Sequence, residues 1–323
     1  MERWLKAFRY DPLGYLRTSD NRAIEFFCRR DLYGDVGNTN SPGVLWDMPE
    51  ALRLIRKQHE NGSWRYPAAG RSPVQNYSLL ETFRNLVILV EKYGLNKNHP
   101  SIQRAAEYLF GCQTGEGDFR GILGNQYSTY YSGAIMELLI KAGYGDHPNI
   151  ERGFRWLLSV RQEDGGWALP LRTAGENLDR KILESPSIAP NASKPFSHLI
   201  TGMVLRAFAA HPRYRSAKEA LHAGMLLKGR FFKPDRYTDR RGAEYWVKFS
   251  YPFWWTDLLS SLDSLSLMNF PHDDGEIRAA LDWFVKSQNS NGSWDLALIR
   301  AKDKDLSYWV TLAICRVFKR FLS

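Results

Sequence analysis

Two polar residues follow aromatic or proline-containing runs, where the sequence predicts that a buried helix starts. Asp257 follows the run Trp-Trp-Thr, and His198 follows the run Pro-Phe-Ser. A carboxyl group among aromatic rings has a raised pKa, because burial disfavours its charged form, and it can then donate a proton. Asp257 is therefore a candidate general acid, and His198 is a second candidate. The alternative for Asp257 is structural, either a hydrogen bond or an ion pair, for example with Lys248.

Aromatic residues cluster near the predicted starts of the same helices. Their faces would line an apolar pocket and could stabilise a carbocation. Ordinary core packing is the alternative. The candidates are Tyr130, Tyr131, Trp254, Trp255 and Trp309.

Two long loops precede buried helices, and loops of such length are more often functional than filler. The loop over 168–195 contains four prolines, and we expect it to form a lid. The loop over 230–252 combines aromatic with basic residues, which suits a hydrophobic ligand or a diphosphate. A solvated basic face is the alternative. Its aromatic candidates, continuing into the next helix start, are Trp246, Tyr251 and Phe253, and its cations are Arg236, Arg240, Arg241 and Lys248.

The composition is that of a globular protein with ample core material. The chain has 323 residues, of which 44% are hydrophobic and 14% aromatic, and a formal net charge of +9. The three cysteines show no metal or disulfide spacing, which favours a reducing compartment. We expect a cytoplasmic protein, because the sequence shows neither a signal peptide nor a membrane-spanning run. No nucleic-acid-binding module accompanies the positive charge, so we expect no nucleic-acid partner.

A short motif recurs after successive helix-like runs, and it indicates a repeat protein. Each copy places a glutamine before a glycine and an aromatic residue. We expect the glycine to end the helix in the left-handed conformation, and the aromatic ring to fold back over the helix end. The glutamine amide would bond to neighbouring backbone groups. The copies are Gln58/Gly62/Trp64, Gln113/Gly117/Phe119, Gln162/Gly166/Trp167 and Gln288/Gly292/Trp294, and residues 229–232 form a degenerate copy.

The runs between these motifs alternate between helices that are apolar on nearly all sides and amphipathic helices. A pair of this kind cannot bury its own apolar faces, so neighbouring pairs must stack. The pattern predicts an all-α fold, a single (α/α)6 barrel or toroid of about five to six helix pairs with the buried helices inside. We expect an N-terminal segment over 1–44 and the barrel over 45–323, together one continuous domain. The predicted helices cover 20–30, 47–58, 77–93, 100–112, 127–142, 148–161, 196–210, 215–228, 254–268, 274–287 and 306–322.

The glutamine–tryptophan repeats resemble those of squalene and oxidosqualene cyclases, and protein prenyltransferase β-subunits share the barrel. The resemblance covers about 45–322, nearly the whole chain. It implies that the loops before the inner helices gather at one mouth of the barrel, around a cavity. The helix N-termini there would favour an anionic group.

The chemistry of these families is only partly present. Squalene-type cyclases protonate an alkene with an Asp-x-Asp-Asp string, and the nearest string here, residues 303–306, lacks the last aspartate. Asp305 is therefore a candidate proton donor, or else the N-cap of the last helix. The prenyltransferase zinc ligands are replaced by Tyr251 and Phe253, and we expect neither a metal nor another cofactor.

The sequence thus favours a squalene cyclase-like or prenyltransferase-like protein that binds a polyisoprenoid or other hydrophobic ligand in an aromatic cavity. If it is an enzyme, Asp257 or Asp305 would donate the proton. One alternative is a non-catalytic module that docks its basic 206–248 face on a protein or a membrane surface. Another is a transferase that handles a diphosphate with Arg236, Arg240, Arg241 and Lys248.

Overall fold

The computed structural model describes residues 3–34, 42–66, 74–237, 241–294, 296–299 and 303–323. Its α-helices are α1 (Pro12–Leu16), α2 (Arg22–Cys28), α3 (Pro49–Ile55), α4 (Tyr77–Tyr93), α5 (Pro100–Gly111), α6 (Thr129–Leu139), α7 (Pro148–Ser159), α8 (Pro170–Thr173), α9 (Arg180–Glu184), α10 (His198–Ala210), α11 (Lys218–Lys228), α12 (Leu258–Leu267), α13 (Gly275–Lys286) and α14 (Leu306–Leu322). Short 3-10 helices cover Arg3–Ala7, Pro42–Leu45, Tyr214–Ser216 and Ala243–Val247, and π-helical turns cover Arg29–Tyr33 and Ile140–Tyr144.

The predicted all-α fold class is confirmed. Among the described residues, strands are limited to β1 (Lys248–Phe249) and β2 (Ala297–Leu298), which pair in parallel. The loop over 168–195 contains α8 and α9, two short helices that the sequence did not predict.

The chain divides into two compact units. One unit comprises residues 45–226, and the other comprises residues 1–44 together with 227–323. In the first unit, α6 and α10 pack closely because Gly133 has no side chain: an added Cβ would lie 2.7 Å from the Cα of Val204. In the second unit, α12 packs against α14.

A buried ion pair also joins α6 to α10. The Nε of Arg206 donates to Glu137 over 2.7 Å, and these side chains are only 5% and 8% exposed. Lys141 bonds both Glu137, at 2.8 Å, and Glu91, at 2.7 Å. Although burial raises the pKa of Glu137, the charges of Arg206 and Lys141 lower it below its ordinary value.

The tryptophans of the repeated motif fold back over the preceding helix, as predicted. The indole Nε1 of Trp64 donates to the carbonyl of Leu54 over 2.8 Å, in the last turn of α3. Trp167 and Trp294 make the same bond, at 2.7 Å each, to the final turns of α7 and α13. Each indole therefore donates to a carbonyl in the last turn of its helix, where carbonyls lose their regular intrahelical partners.

The glutamines of the motif connect each repeat to the next. The Nε2 of Gln58 donates to the carbonyl of Gly62 over 3.0 Å and to that of Ser101, in the first turn of α5, over 2.8 Å. Gln113 bonds its own turn and the carbonyl of Asn149 in α7, at 2.8 and 2.9 Å. The predicted bonding of the glutamine amide to neighbouring backbone groups is thus confirmed.

Two local predictions were wrong. Gly62 does not end a helix, because α3 ends at Ile55 and Gly62 lies in the turn beyond it, with φ of 84°. Glycine is needed there for a further reason: an added Cβ would lie 2.0 Å from the carbonyl oxygen of Arg104 in α5. The predicted helix over 20–30 begins later, at Arg22, and the side chain of its N-cap Asn21 accepts from the amide of Ala23 over 2.9 Å.

Candidate functional site

An aromatic cluster forms where the chain leaves β1 and where α14 begins. The rings of Tyr251 and Trp309 are parallel within 7°, with centroids 5.4 Å apart. Phe253 meets Tyr251 edge-on at 5.7 Å, and Phe27 of α2 meets Trp309 at 6.0 Å. We call these four residues the aromatic cluster. It unites three predicted ligand-binding residues with Phe27, which the sequence did not single out.

Two charged side chains, one in α14 and one in the π-helical turn after α2, connect to the aromatic cluster through hydrogen bonds. Arg316 lies two turns after Trp309, and its Nη1 donates to the hydroxyl of Tyr251 over 3.0 Å. Its Nε and Nη2 lie 2.7 and 2.6 Å from one carboxylate oxygen of Asp31. The guanidinium also lies over the ring of Phe27, 5.1 Å from its centroid. Asp31, Arg316 and Tyr251 therefore form one continuous chain of contacts.

The charges of this chain of contacts persist at neutral pH. Burial raises the pKa of Asp31, but Arg316 and Arg30 outweigh it and hold that pKa below its ordinary value. Burial lowers the pKa of Arg316, yet Tyr251 and Asp31 raise it overall. By contrast, burial raises the pKa of Cys28 to about 12, so this thiol stays protonated and unreactive.

Sequence reasoning missed Asp31 and Arg316, although one signal was present. Arg316 is a cation inside the otherwise apolar run Ala-Ile-Cys-Arg-Val-Phe of the last helix. A long cation that packs within an apolar helix face requires a partner, because an unpaired buried charge is costly.

Asp257 lies at the N-cap of α12 and is only 2% exposed. Its carboxylate accepts from the amide of Ser260 over 2.7 Å, and the hydroxyl of Ser260 accepts from the amide of Asp257 over 2.9 Å. This reciprocal capping box satisfies two backbone donors at the helix start. It is a structural hydrogen bond of the kind expected as the alternative. The acid role of Asp257 stays a prediction.

The two other acid candidates also lie at helix starts. Asp305 is at the N-cap of α14, but its side chain makes no capping bond and instead accepts from the Nδ2 of Asn21 over 2.7 Å. His198 is the first residue of α10 and is buried, directly after the N-cap Ser197. Their catalytic roles likewise stay predictions.

Tyr130 and Tyr131 lie in the first two turns of α6, in the unit of residues 45–226. Their rings are 4.5 Å apart, and Tyr131 meets Phe83 of α4 edge-on at 6.0 Å. Burial, with a smaller contribution from Tyr131, raises the pKa of Tyr130 well above its ordinary value. The phenol of Tyr130 therefore stays neutral.

In the basic loop over 230–252, two of the candidate ligand-binding residues make contacts within the loop itself. Trp246 is 1% exposed; it donates to the carbonyl of Lys233 over 2.9 Å and meets Phe231 at 5.2 Å. Lys248 lies 3.8 Å from Glu244 and over the ring of Tyr245.

The remaining candidate residues differ in their exposure, and one of them lies outside the described residues. Trp254 is buried, and its amide donates to the hydroxyl of Ser250 over 3.1 Å, whereas Trp255 is partly exposed. Arg236 and Arg241 are exposed, and Arg240 lies outside the described residues. The expected convergence of these cations on a diphosphate stays a prediction.

Within the described ranges, no group of histidine, cysteine, aspartate and glutamate residues has the arrangement to hold a metal ion. In the same part of the chain, no helix is both long and apolar enough to cross a membrane.

Comparison with known sequences finds squalene cyclase relatives. A family model described as the squalene-hopene cyclase C-terminal domain matches residues 65–180, which include Tyr130 and Tyr131. The squalene–hopene cyclase of Zymomonas mobilis subsp. mobilis is 24% identical over 202 residues, covering 57% of this chain and 29% of that protein. The chain thus spans under a third of this relative's length. The predicted resemblance to squalene cyclases is confirmed.

Solved structures with similar helical arrangements are more varied. A type II terpene cyclase from Scytonema, in complex with geranylgeranyl dihydroxybenzoate, is 15% identical with a TM-score of 0.44, covering 96% of this chain and 98% of that one. A protein from Actinoplanes is 18% identical with a TM-score of 0.45, covering 87% of each chain. A glycosyl hydrolase of family 88 from Bacteroides vulgatus is 14% identical with a TM-score of 0.46, covering 99% and 93%. None of these similarities is evidence for an activity.

Proposed function

We propose that this squalene cyclase-like protein binds a polyisoprenoid, or another hydrophobic ligand, against the aromatic cluster. The observation that carries the proposal is the parallel arrangement of Tyr251 on Trp309, with Phe253 edge-on to Tyr251. Rings held in this way offer a rigid apolar surface with little conformational freedom left to lose on binding. Apolar area removed from water contributes about 25 cal/mol per Å², so a long hydrocarbon gains substantially from such contact.

The sequence relatives support the class of ligand. The relative from Zymomonas is named a squalene–hopene cyclase, and squalene is a polyisoprenoid hydrocarbon. The family match includes Tyr130 and Tyr131 but lies outside residues 251–309. The two aromatic groups should therefore be tested separately.

Cyclisation of such a ligand requires an acid, and Asp257 remains the candidate to test. An asparagine at this position can still accept the amide hydrogen bond at the helix start but cannot donate a carboxylic proton. Asp257→Asn should therefore keep the thermal stability of the wild type while abolishing any conversion of squalene. Cyclic products would be sought by gas chromatography with mass spectrometry. Unchanged turnover would remove Asp257 from the reaction.

Binding is tested by native mass spectrometry of the purified chain with geranylgeraniol, and with eicosanol as a straight-chain alcohol of equal carbon number. We expect geranylgeraniol to bind more tightly than eicosanol. Phe253→Leu should weaken that binding. The matched control is Phe249→Leu, since Phe249 is also buried, at 0% exposed against 9% for Phe253, but packs on Trp283 and Phe284 of α13.

Two results would overturn the proposal. One is a wild-type chain that binds neither alcohol or binds both equally. The other is an equal loss of binding in the Phe253 and Phe249 variants, which would mean that general destabilisation is responsible. An unliganded protein with intact folding would instead support the non-catalytic docking module.

A further inference from the structure

We infer that Asp31 is a positioning residue for the aromatic cluster. It orients Arg316, and Arg316 in turn holds the ring of Tyr251 parallel to that of Trp309. The inference rests on the proposed function, since it concerns how the aromatic cluster keeps the shape that a ligand would meet. Asp31 acts on the ring of Tyr251 through the guanidinium of Arg316.

The first step is the contact between Asp31 and Arg316. Two guanidinium nitrogens, Nε and Nη2, lie 2.7 and 2.6 Å from the same carboxylate oxygen. A guanidinium is planar, so two contacts along one edge determine the direction of its remaining nitrogen. That nitrogen is Nη1, the one that reaches Tyr251. The orientation of Arg316 therefore depends on the carboxylate.

The second step is the contact between Arg316 and Tyr251. Nη1 donates to the phenolic oxygen over 3.0 Å, and Tyr251 is only 7% exposed. A ring held by apolar contacts alone can shift or tilt at little cost, whereas a charge-assisted hydrogen bond at its outer end restrains it. Phe253 has no polar atom on its ring and cannot be held in this way. The position of the Tyr251 ring thus depends on a charged side chain.

A second arginine provides a control within the same site. Arg30 also bonds Asp31, and it lies over the ring of Phe27 at 4.6 Å, much as Arg316 does at 5.1 Å. The hydrogen bond to the hydroxyl of Tyr251 comes from Arg316. Replacing Arg30 therefore removes a partner of Asp31 without removing the contact that orients Tyr251.

The contact between Asp31 and Arg316 should not depend on pH in the neutral range. Arg316 and Arg30 keep the pKa of Asp31 below its ordinary value, against the opposing effect of burial. The carboxylate therefore stays charged over the range from pH 5 to 8, and the contact chain should hold Tyr251 equally well throughout that range.

The test combines Asp31→Asn and Tyr251→Phe, singly and together, with Arg30→Gln as the control. Affinity for geranylgeraniol and for eicosanol is measured between pH 5 and 8, and urea unfolding confirms that each variant is folded. We expect Asp31→Asn to weaken geranylgeraniol binding about tenfold, the size of one charge-assisted hydrogen bond, and to reduce the preference over eicosanol. In the Tyr251→Phe background the same change should have no further effect. Arg30→Gln should change affinity less than twofold.

If Asp31→Asn does not fold, Arg316→Lys replaces it in the cycle, because lysine keeps the charge but loses the planar arrangement. The inference is overturned if the effects of Asp31 and Tyr251 are additive, or if Arg30→Gln weakens binding as much as Asp31→Asn. It is also overturned if the preference for geranylgeraniol is unchanged in Asp31→Asn. A wild-type chain that binds neither alcohol would overturn the proposed function itself, which separates the two failures.

Discussion

The side-chain amide of Gln288 donates to the backbone carbonyl of Tyr10 over 2.8 Å, across a separation of 278 residues. Its carbonyl oxygen accepts from the amides of Arg9 and Tyr10 at 3.1 and 3.0 Å. The last copy of the repeated motif thus bonds the segment before α1, as Gln58 bonds the start of α5. The first residues of the chain therefore complete the last repeat.

Replacing Gln288 should detach this segment. In Gln288→Leu, the backbone groups of Arg9 and Tyr10 lose their partner in part-buried hydrogen bonds, which together contribute about 1–3 kcal/mol to stability. We expect a loss of that size in urea unfolding, with faster hydrogen exchange over residues 9–13. Gln103→Leu on the exposed face of α5 is the control and should change stability by less than about 0.5 kcal/mol. Equal losses in the two variants would contradict the assigned role.

Gly292 should not tolerate a side chain. Its φ is 85°, and an added Cβ would lie 2.2 Å from the carbonyl oxygen of Asp11. Gly292→Ala should therefore cost at least about 1–3 kcal/mol, because it combines backbone strain with a clash. The control is Gly275→Ala at the start of α13, where no atom lies within 4 Å of an added Cβ. Thermal unfolding compares the two, and an unchanged Tm in Gly292→Ala would show that the close approach is absent.

Removing one partner of the ion pair between α6 and α10 should lower the free energy of unfolding more than replacing both partners by apolar residues. Arg206→Met leaves Glu137 buried with one cation fewer, and breaking such a pair typically costs about 3–5 kcal/mol. The double variant Glu137→Leu/Arg206→Met removes both charges and should be more stable than Arg206→Met alone. Urea unfolding of the wild type, Arg206→Met and the double variant measures this, and a double variant less stable than Arg206→Met would refute the account.

Stability should decrease on mild acidification, because α5 and α7 have histidine N-caps. The Nδ1 of His99 accepts from the amide of Ser101 over 3.1 Å, and that of His147 from the amide of Asn149 over 3.2 Å. Only an unprotonated Nδ1 can accept. Burial, followed by the nearby Arg104 and Arg152 respectively, lowers both pKa values below their ordinary value.

The free energy of unfolding should decrease as the pH falls, because the unfolded chain binds protons at these two histidines more readily than the folded chain does. The unfolded chain binds these protons near pH 6.5, whereas the folded chain binds them only at lower pH. The caps thus contribute fully above pH 6.5, and their contribution is lost as the pH falls through the folded values. Replacing His99 and His147 by asparagine, a cap that does not titrate, should flatten the dependence of unfolding free energy on pH between 8 and 5. A dependence as steep as in the wild type would contradict this.

Local patterns predicted the long helices well. The predicted bounds 77–93 and 306–322 coincide with α4 (Tyr77–Tyr93) and α14 (Leu306–Leu322). Asn76 caps the start of α4, and Gly94 ends it with a left-handed conformation, so both signals lie within the segment itself. The error at Gly62 arose because its conformation is required by α5, which packs against it from outside the local segment.

The sequence predicted the candidate site less completely than the helices. Its aromatic members were recognised, but Asp31 and Arg316 lie 285 residues apart, and no local periodicity connects them. Asp257 looked like an acid from its aromatic neighbours, whereas its observed partner, Ser260, is set by the local geometry of a helix start.

The sequence by itself determined the helices, their alternation and the motif that ends each repeat, because these depend on hydrogen bonds and apolar faces between residues close in the chain. Only the tertiary structure decided which side chains meet: Tyr251 with Trp309, Arg316 with Asp31, and Gln288 with Tyr10. Such contacts depend on how distant helices pack, and the free energy of that packing is not written in the pattern of any single segment.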